Sequence, residues 1–355
     1  MLKIKAPQEF YCDRNLVIKV GEISRRFGNT AYIISGEKAF NAVKEGLEKG
    51  LKKYYIDYSI NIMTGYPTYD EVLSHSSKAY IENADFVIAV GGGKICDVGK
   101  AIANYRNIPV VMVPTIAATC ACWAARSVLY TADGNFDKIL WNKNNPDIIV
   151  ADLDVLRAAP KRYLASGILD TLAKWYEFNP LIEATPNDIV LRQDVAISKL
   201  AFDVLMDFGL KAYKNETNWE EFSQVIEAIF FLAGASGSFA NGKAYRGFAH
   251  SYYYASTRVA ESRHRLHGEK VAFGLLVQSV LKNDTETVNQ LVDILRAYDL
   301  YDTPYDWSVE NIVNTITLIS ELILTESPIV VEKGFVRTID ECAKAIESAS
   351  KYLKA

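Results

Sequence analysis

Short apolar runs rich in β-branched residues alternate with amphipathic segments over the first 150 residues of the chain. The intervening segments, such as residues 37–49 and 69–83, are rich in Lys, Glu and Ala and carry apolar residues at helical spacing. This alternation predicts a parallel sheet covered by helices. The predicted strands are residues 30–34, 54–60, 86–90 and 110–113.

After Pro160 the pattern changes to long helical periodicity without a strand-like run. It is clearest over residues 187–213, 219–240 and 285–298. A chain of 355 residues is expected to form more than one core. We therefore predict an α/β domain at residues 1–155 and an all-helical domain at 156–355, with the boundary inside the proline-bounded segment 144–160 and a cleft between the two.

Charge and composition exclude several classes of partner. The formal net charge is -4 and basic residues are interspersed with acidic ones, which argues against binding to nucleic acid or a membrane surface and favours a small molecule. We see no secretory signal in the first eleven residues and no uncharged run long enough to cross a bilayer, so we expect a cytoplasmic protein. The odd count of five cysteines predicts reduced thiols, and Cys120 and Cys122 lack the second pair that a structural zinc site needs.

A glycine-rich turn follows the predicted strand 86–90. Residues 91–94, Gly-Gly-Gly-Lys, lead directly into a helical pattern, so backbone N–H groups and the helix N-terminus can bind a pyrophosphate. The alternative is an ordinary strand-to-helix turn. Two standard fingerprints fail, because Cys96 replaces the third glycine of G-x-G-x-x-G and Ile95 follows the lysine where a P-loop needs Ser or Thr. Asp97 either caps the new helix or hydrogen-bonds a cofactor.

Three of the four histidines, His250, His264 and His267, fall in one short stretch of the helical region. Such clustering favours a metal site between helices. Asp170 interrupts an otherwise apolar helical face and is a candidate third ligand, because a buried carboxylate needs a charged partner. For each histidine taken singly, the alternative is a core or interface residue.

These motifs together resemble the iron-containing alcohol dehydrogenases in the broad sense, and within them the glycerol dehydrogenase branch. The resemblance spans nearly the whole chain and rests on GGGKICDVGK at 91–100, VPTIA at 113–117, GILDTLAK at 167–174 and HGEKVAFG at 267–274. It implies an N-terminal dinucleotide-binding α/β domain, an all-α C-terminal domain and a dehydroquinate synthase-like architecture. It also implies an NAD(P)-linked oxidoreductase that acts on the CH–OH group of a small compound.

The resemblance further implies one divalent metal held by Asp170, His250 and His267. Four-ligand iron members carry a histidine one turn after the aspartate, where this chain has Lys174, so zinc is favoured over iron. His264 is either a proton relay or a supporting residue. The implied cofactor-binding positions are Gly36, Gly92, Gly93, Lys94, Asp97, Thr115, Ala118 and Tyr130.

Departures from the resemblance bear on cofactor and substrate. NAD-using relatives carry an acidic residue where Gly36 stands, and the neighbouring Glu37 and Lys38 leave NAD and NADP both open. Glycerol dehydrogenases have an aspartate where Cys120 stands, so we favour a 2-oxo or 2-hydroxy acid over glycerol. A carboxylate substrate needs a cation, and the candidates are Arg246 and Arg126, each of which has a surface or interdomain ion pair as its alternative role.

Three other functions stay open at this point. Glycerol-1-phosphate dehydrogenase and a dehydroquinate synthase-like lyase share the architecture but act on phosphorylated substrates, for which more basic residues are expected around the metal. The third alternative is an inactive dinucleotide-binding module. We also expect a homo-oligomer.

Overall fold

The computed structural model describes residues 5–182, 187–236, 247–301 and 312–354. It contains eight strands: β1 (Glu9–Asp13), β2 (Thr30–Ser35), β3 (Asp57–Ile62), β4 (Phe86–Gly91), β5 (Val110–Pro114), β6 (Arg126–Tyr130), β7 (Phe136–Trp141) and β8 (Ile148–Asp152). Six of them form one parallel sheet in the order β1-β8-β5-β4-β2-β3, and β6 and β7 form a separate antiparallel hairpin. Within the described residues, no helix is long and apolar enough to span a bilayer.

The order of the strands creates a switch point between β2 and β4. β3 lies on one side of β2 and β4 lies on the other, so the connections from these neighbouring strands run in opposite directions and leave a crevice at their carboxyl ends. Open parallel sheets commonly bind their ligands in such a crevice. Ser35 of β2 pairs with Val90 of β4, and the Ser35 hydroxyl donates a 2.7 Å hydrogen bond to the Val90 carbonyl. Gly36 and Gly91 therefore lie side by side at this crevice.

Helices cover both faces of the sheet and form the rest of the fold. The first part of the chain contributes α1 (Val20–Ser24), α2 (Glu37–Lys53), α3 (Tyr69–Ile81) and α4 (Gly93–Arg106). Apolar side chains of α2 pack on one face of the sheet in a core of their own. The opposite face packs against α3 and α4, and this second core continues into the helices that follow β8.

All described elements after β8 are helical. They are α5 (Leu153–Ala158), α6 (Lys161–Phe178), α7 (Ile189–Tyr213), α8 (Trp219–Glu227), α9 (Ala233–Ala235), α10 (Phe248–Ser256), α11 (His267–Leu281), α12 (Thr285–Ala297), α13 (Ile312–Glu326), α14 (Pro328–Glu332) and α15 (Ile339–Lys354), with a π-helical turn at Ala228–Leu232. Helix α6 packs against both α7 and α11, and α11 also packs against α10. These contacts bring together residues that lie far apart in sequence.

Glycines allow two very close approaches to α6. A Cβ on Gly167 of α6 would lie 2.0 Å from the Ala117 carbonyl oxygen, in the loop after β5. A Cβ on Gly268 of α11 would lie 1.8 Å from the Ser166 carbonyl oxygen. Helix α6 is thus in backbone contact with both the sheet's β5 loop and the start of α11.

The predicted fold class is confirmed: a parallel α/β region comes first, and the described residues after Asp152 contain helices and no strand. Some elements differ from the prediction. The predicted strand 54–60 begins at Asp57 instead, because Tyr54 closes α2 and Tyr55 adopts a positive φ of 55°. The segment 144–160 is not only a linker, since it contains the buried strand β8, and the boundary at 155/156 stays a prediction.

Candidate metal and cofactor site

Asp170, His250 and His267 come together from three different helices. Asp170 lies in the middle of α6, His250 near the start of α10 and His267 at the first residue of α11. The Asp170 Oδ1 atom lies 3.3 Å from His250 Nε2 and 3.1 Å from His267 Nε2. One possible ligand atom from each residue lies within 4.8 Å of those from the other two.

Burial and charge set the electrostatics of this group. Asp170 is 3% exposed, and although burial opposes its ionisation, the charge of His267 and the hydrogen bonds from both imidazoles hold its pKa well below the ordinary value. Burial also opposes protonation of His250, but the charges and hydrogen bonds of Glu177 and Asp170 raise its pKa to about 9. Without a metal, His250 is therefore protonated on both ring nitrogens and positively charged at neutral pH.

Glu177 is a site residue that the sequence analysis missed. It is 1% exposed, and its Oε2 accepts a hydrogen bond from His250 Nδ1 at 2.5 Å. Its Oε1 accepts one from the His250 backbone N–H at 3.0 Å. A signal was present in the sequence, because Asp170, Lys174 and Glu177 are spaced four and three residues apart and so share one face of α6.

Two tyrosines line the other side of the group. The ring of Tyr253 packs edge-on against His267, with ring centroids 4.1 Å apart. Its hydroxyl lies 2.9 Å from the Tyr130 hydroxyl at the end of β6. The hairpin therefore reaches the cluster of Asp170, His250 and His267, which we call the candidate metal-binding group. Burial raises the pKa of both hydroxyls, which keeps them neutral. Tyr130, predicted as a cofactor residue, thus lies between the sheet region and the candidate metal ligands.

The glycine turn opens helix α4 as the sequence predicts. Gly92 is the N-cap, and no side chain caps the helix, so the N–H groups of Gly93 and Lys94 have no side-chain cap. A Cβ on Gly93 would lie 3.3 Å from both the Ala121 Cβ and the Thr119 Oγ1 atoms, so a larger residue would crowd this crevice. Lys94 Nζ lies 3.7 Å from the centroid of the Tyr66 ring, and burial lowers its pKa.

Asp97 makes its described contacts inside the protein. It is 7% exposed and forms a 2.9 Å ion pair with Lys100, which in turn donates to the carbonyls of Ala121 and Ala124. Burial raises the pKa of Asp97, and the charge of Lys100 opposes that shift. The carboxylate does not cap α4; it pairs with Lys100, which anchors the loop that carries residues 121–126.

The loop after β5 joins the glycine turn to the candidate metal-binding group. The Thr115 N–H donates to the Gly91 carbonyl at 3.2 Å, and the Ala118 carbonyl accepts from the Ser166 hydroxyl at 3.2 Å. Ser166 is one turn before Asp170 on α6. Two predicted cofactor positions, Thr115 and Ala118, therefore lie on the segment that connects the turn to the helix bearing Asp170.

The remaining predicted residues lie farther from this group or outside the described residues. A Cβ on Gly36 would meet nothing within 4 Å, so the end of β2 is open. His264 is exposed, and its described contact is through its carbonyl, which accepts from Arg162 at 2.9 Å. Arg126 begins β6, where its charge acts on Asp97. Arg246 lies outside the described residues.

Two buried lysines lie near the candidate metal-binding group, and the sequence analysis did not include them among the candidate cations for a substrate carboxylate. Lys174 is 7% exposed, one turn after Asp170, and its charge helps to lower the pKa of that carboxyl. Lys270 is 5% exposed, one turn after His267, and burial lowers its pKa to about 8. Among the salt bridges of the described residues, neither ammonium group pairs with a carboxylate.

The three side chains fit a divalent metal. Tetrahedral zinc with bonds of about 2.0–2.1 Å places its ligand atoms about 3.3 Å apart, close to the observed separations of 3.1 and 3.3 Å. Two imidazoles and a carboxylate also form the donor set of catalytic zinc sites that keep one position open. The fold and this site together are those expected of a metal-dependent dehydrogenase with a dinucleotide-binding sheet.

Comparison with known proteins agrees with that class. The family model described as "Iron-containing alcohol dehydrogenase" matches residues 7–153. A glycolaldehyde reductase of Halobacterium salinarum is 31% identical over 79% of this chain and 78% of its own, and hydroxycarboxylate dehydrogenase A of Escherichia coli is 32% identical over 64% of each. A probable glycerol dehydrogenase from Sinorhizobium meliloti has the same fold, with a TM-score of 0.86, 24% identity and 99% coverage of both chains. The chain belongs to the iron-containing alcohol dehydrogenase family and is an oxidoreductase.

Proposed function

We propose that this protein is a metal-dependent, NAD(P)-linked dehydrogenase that interconverts a 2-hydroxy acid and its 2-oxo acid, with Asp170, His250 and His267 as the ligands of one divalent metal, zinc rather than iron. The observation that carries the proposal is the convergence of these three side chains, with separations of 3.1 and 3.3 Å to one carboxylate oxygen. Helices α6, α10 and α11 are packed so that no large rearrangement is needed to form the site.

Each part of the site has a task in this reaction. A metal held by Asp170, His250 and His267 would supply a Lewis acid for the substrate oxygen, and a bound nicotinamide would supply the hydride chemistry. The N–H groups at the start of α4 and the Lys94 ammonium bind the pyrophosphate, and Thr115 and Ala118 hold the cofactor next to α6. Tyr253 and Tyr130 form a neutral wall beside His267 that limits access of water.

The buried lysines support an acidic substrate. An ammonium group without a carboxylate partner is costly to bury, and a substrate carboxylate supplies the missing charge. Lys270 is the better candidate of the two, because its Nζ lies 5.9 Å from the centroid of the Tyr253 ring, which packs on His267. The names of the relatives include aldehyde and hydroxycarboxylate substrates, which is consistent with a small carbonyl compound.

The cofactor preference and the assembly stay predictions. Glu37 and Lys38 are both exposed beside the open end of β2. The Glu37 carboxylate would favour the ribose diol of NAD, and the Lys38 ammonium would favour the 2′-phosphate of NADP. Titration with NADH and with NADPH distinguishes the two. Light scattering of the purified protein tests the expected homo-oligomer.

The test of the proposed function measures NAD(P)H oxidation with 2-oxo acids, glycolaldehyde and, in reverse, glycerol. We expect activity to be lost on chelation, restored by Zn²⁺, and faster with an oxo acid than with glycerol. Unchanged activity in protein shown to be free of metal would refute the metal's role, and faster turnover of glycerol than of any oxo acid would refute the substrate. Product formation without net cofactor change would identify a lyase instead.

Lys270→Gln separates carboxylate recognition from chemistry. It removes the ammonium group but keeps a polar side chain of similar length, so we expect KM for the oxo acid to rise roughly tenfold, as for the loss of one charged hydrogen bond. KM for glycolaldehyde, which has no carboxylate, is expected to change little. Equal changes for both substrates would contradict a role in binding the carboxylate.

A further inference from the structure

Glu177 is buried and devotes both carboxylate oxygens to one residue. It is 1% exposed, and Oε2 and Oε1 accept from the Nδ1 and the backbone N–H of His250 at 2.5 and 3.0 Å. Burying a carboxylate is costly unless its hydrogen bonds are satisfied, and here one histidine satisfies two of them. The pair fixes both the ring of His250 and the start of α10.

The backbone around Glu177 is fitted to this side chain. Gly247, the N-cap of α10, lies so close that a Cβ there would be 2.5 Å from the Glu177 Cγ and 2.8 Å from its Oε1. A glycine at this point lets α10 begin directly over the carboxylate. His250 then reaches back to Glu177 with its Nδ1 and forward to Asp170 with its Nε2.

We propose that Glu177 is a positioning residue that fixes the tautomer and orientation of His250, so that Nε2 is presented to the metal. The proposal rests on the metal-dependent function proposed above. A carboxylate can only accept, so Nδ1 must carry the hydrogen and the lone pair of the neutral ring must lie on Nε2. The carboxylate also makes the imidazole a more basic ligand.

The two imidazole ligands are held differently. His267 is oriented by the ring of Tyr253, at 4.1 Å between centroids, and its only salt-bridge partner in the described part of the chain is Asp170. Of the two histidines, only His250 has, among the described residues, a carboxylate on the ring nitrogen that does not contact Asp170. Loss of that carboxylate should therefore affect one ligand and not the other.

Glu177→Gln is the sharpest test, because the amide keeps the size of the side chain. The substitution turns one of the two accepting oxygens into an NH₂ group that cannot accept, so the bond from Nδ1 or the bond from the backbone N–H is lost. An NH₂ group that faces Nδ1 can donate to it and so reverse the tautomer. We expect the Zn²⁺ dissociation constant, measured by chelator competition, to rise 10- to 100-fold. In the Zn²⁺-loaded wild type, imidazole ¹⁵N NMR should show His250 metallated at Nε2 and protonated at Nδ1, with the Nδ1 proton signal shifted in the variant.

Glu269→Gln is the matched control. Glu269 is a buried carboxylate next to His267 that pairs with Arg162 at 2.6 Å and accepts from the Leu266 N–H at 3.1 Å, so it supports the start of α11 without touching an imidazole. We expect this variant to lose thermal stability but to bind Zn²⁺ within about threefold of wild type.

The outcomes distinguish the two proposals. If wild-type protein binds Zn²⁺ and Glu177→Gln binds it equally well, the positioning role is overturned while the metal site stands. Equal weakening in Glu177→Gln and Glu269→Gln would also overturn it, because any buried carboxylate would then have the same effect. If the wild type binds neither Zn²⁺ nor Co²⁺, the proposed function fails and this inference fails with it.

Discussion

Replacing Gly268 by alanine tests how closely the metal ligands depend on helix packing. The added Cβ would lie 1.8 Å from the Ser166 carbonyl oxygen, 2.6 Å from its carbon and 2.9 Å from its Cα. All three atoms belong to the backbone of α6, so no side chain can rotate away. The gap must open from 1.8 Å to about 3.4 Å before the contact becomes ordinary.

Such a displacement separates Asp170 from His267, because Ser166 lies one turn from Asp170 and Gly268 follows His267 directly. Metal sites tolerate deviations of only about 0.2 Å in ligand distances. We expect Gly268→Ala to weaken Zn²⁺ binding by about 100-fold or more and to lower the free energy of unfolding by about 3 kcal/mol, the upper range for overpacking.

The assay combines chelator competition for Zn²⁺ with denaturant unfolding of the metal-free protein. Gly46→Ala is the control, since Gly46 lies inside α2 and an added Cβ would lie 3.3 Å from a Val17 methyl group and no nearer than 3.8 Å to a backbone atom of Ile18. For Gly46→Ala we expect unchanged Zn²⁺ affinity and a change in the free energy of unfolding of no more than about 1 kcal/mol. Wild-type affinity and stability in Gly268→Ala would show that the packing of α6 on α11 does not set the site.

Three further predictions follow from the site. Asp170→Asn removes the charge that both imidazoles contact, so Zn²⁺ affinity is expected to fall by at least about 100-fold and activity with it, as measured by chelator competition and turnover. Lys94→Met is expected to raise the Kd for NADH roughly tenfold in a fluorescence titration while leaving Zn²⁺ affinity unchanged. In the metal-free protein, the pKa of His250 is raised to about 9, above its unfolded value, so its contribution to stability is complete below about pH 6.5 and is lost as pH rises through 9. The difference in unfolding free energy between wild type and His250→Gln should therefore shrink by about 3 kcal/mol over that interval.

Each of these three has an outcome that contradicts it. Tight Zn²⁺ binding by Asp170→Asn would mean that the metal is held elsewhere. A Lys94→Met protein that binds NADH normally would remove the lysine from the pyrophosphate site. A stability difference that is constant or grows with pH would show that His250 is not held protonated by its carboxylate neighbours.

The parallel sheet was predictable because its central strands are uniformly apolar. Every residue of Phe86–Gly91 and Val110–Pro114 is buried, so the runs stand out against the amphipathic segments between them. The β6–β7 hairpin gave no such signal, since partly exposed and buried residues alternate along β6 and every residue of β7 is at least partly exposed, with Trp141 at 62%. Its position depends on contacts with residues far away in sequence, such as the packing of Phe136 on Tyr254, whose ring centroids are 4.9 Å apart.

The candidate site was predictable in its residue types and not in its supporting contacts. Histidine clustering and an aspartate on an apolar face indicated Asp170, His250 and His267, but only the packing of α6, α10 and α11 brings them within reach of one another. Glu177 was missed because its place on the same face of α6 as Asp170 shows only that the two are neighbours, whereas its role depends on its partner His250 on α10. Lys270 was missed for the same reason, since its burial is a tertiary property.

Anomalous diffraction at the zinc absorption edge, from crystals of the protein loaded with one equivalent of Zn²⁺, tests the central claim most directly. We predict one strong peak about 2.0–2.2 Å from a carboxylate oxygen of Asp170 and from the Nε2 atoms of His250 and His267. A peak at any other position, or no peak at these three side chains in protein that is active, would contradict the account.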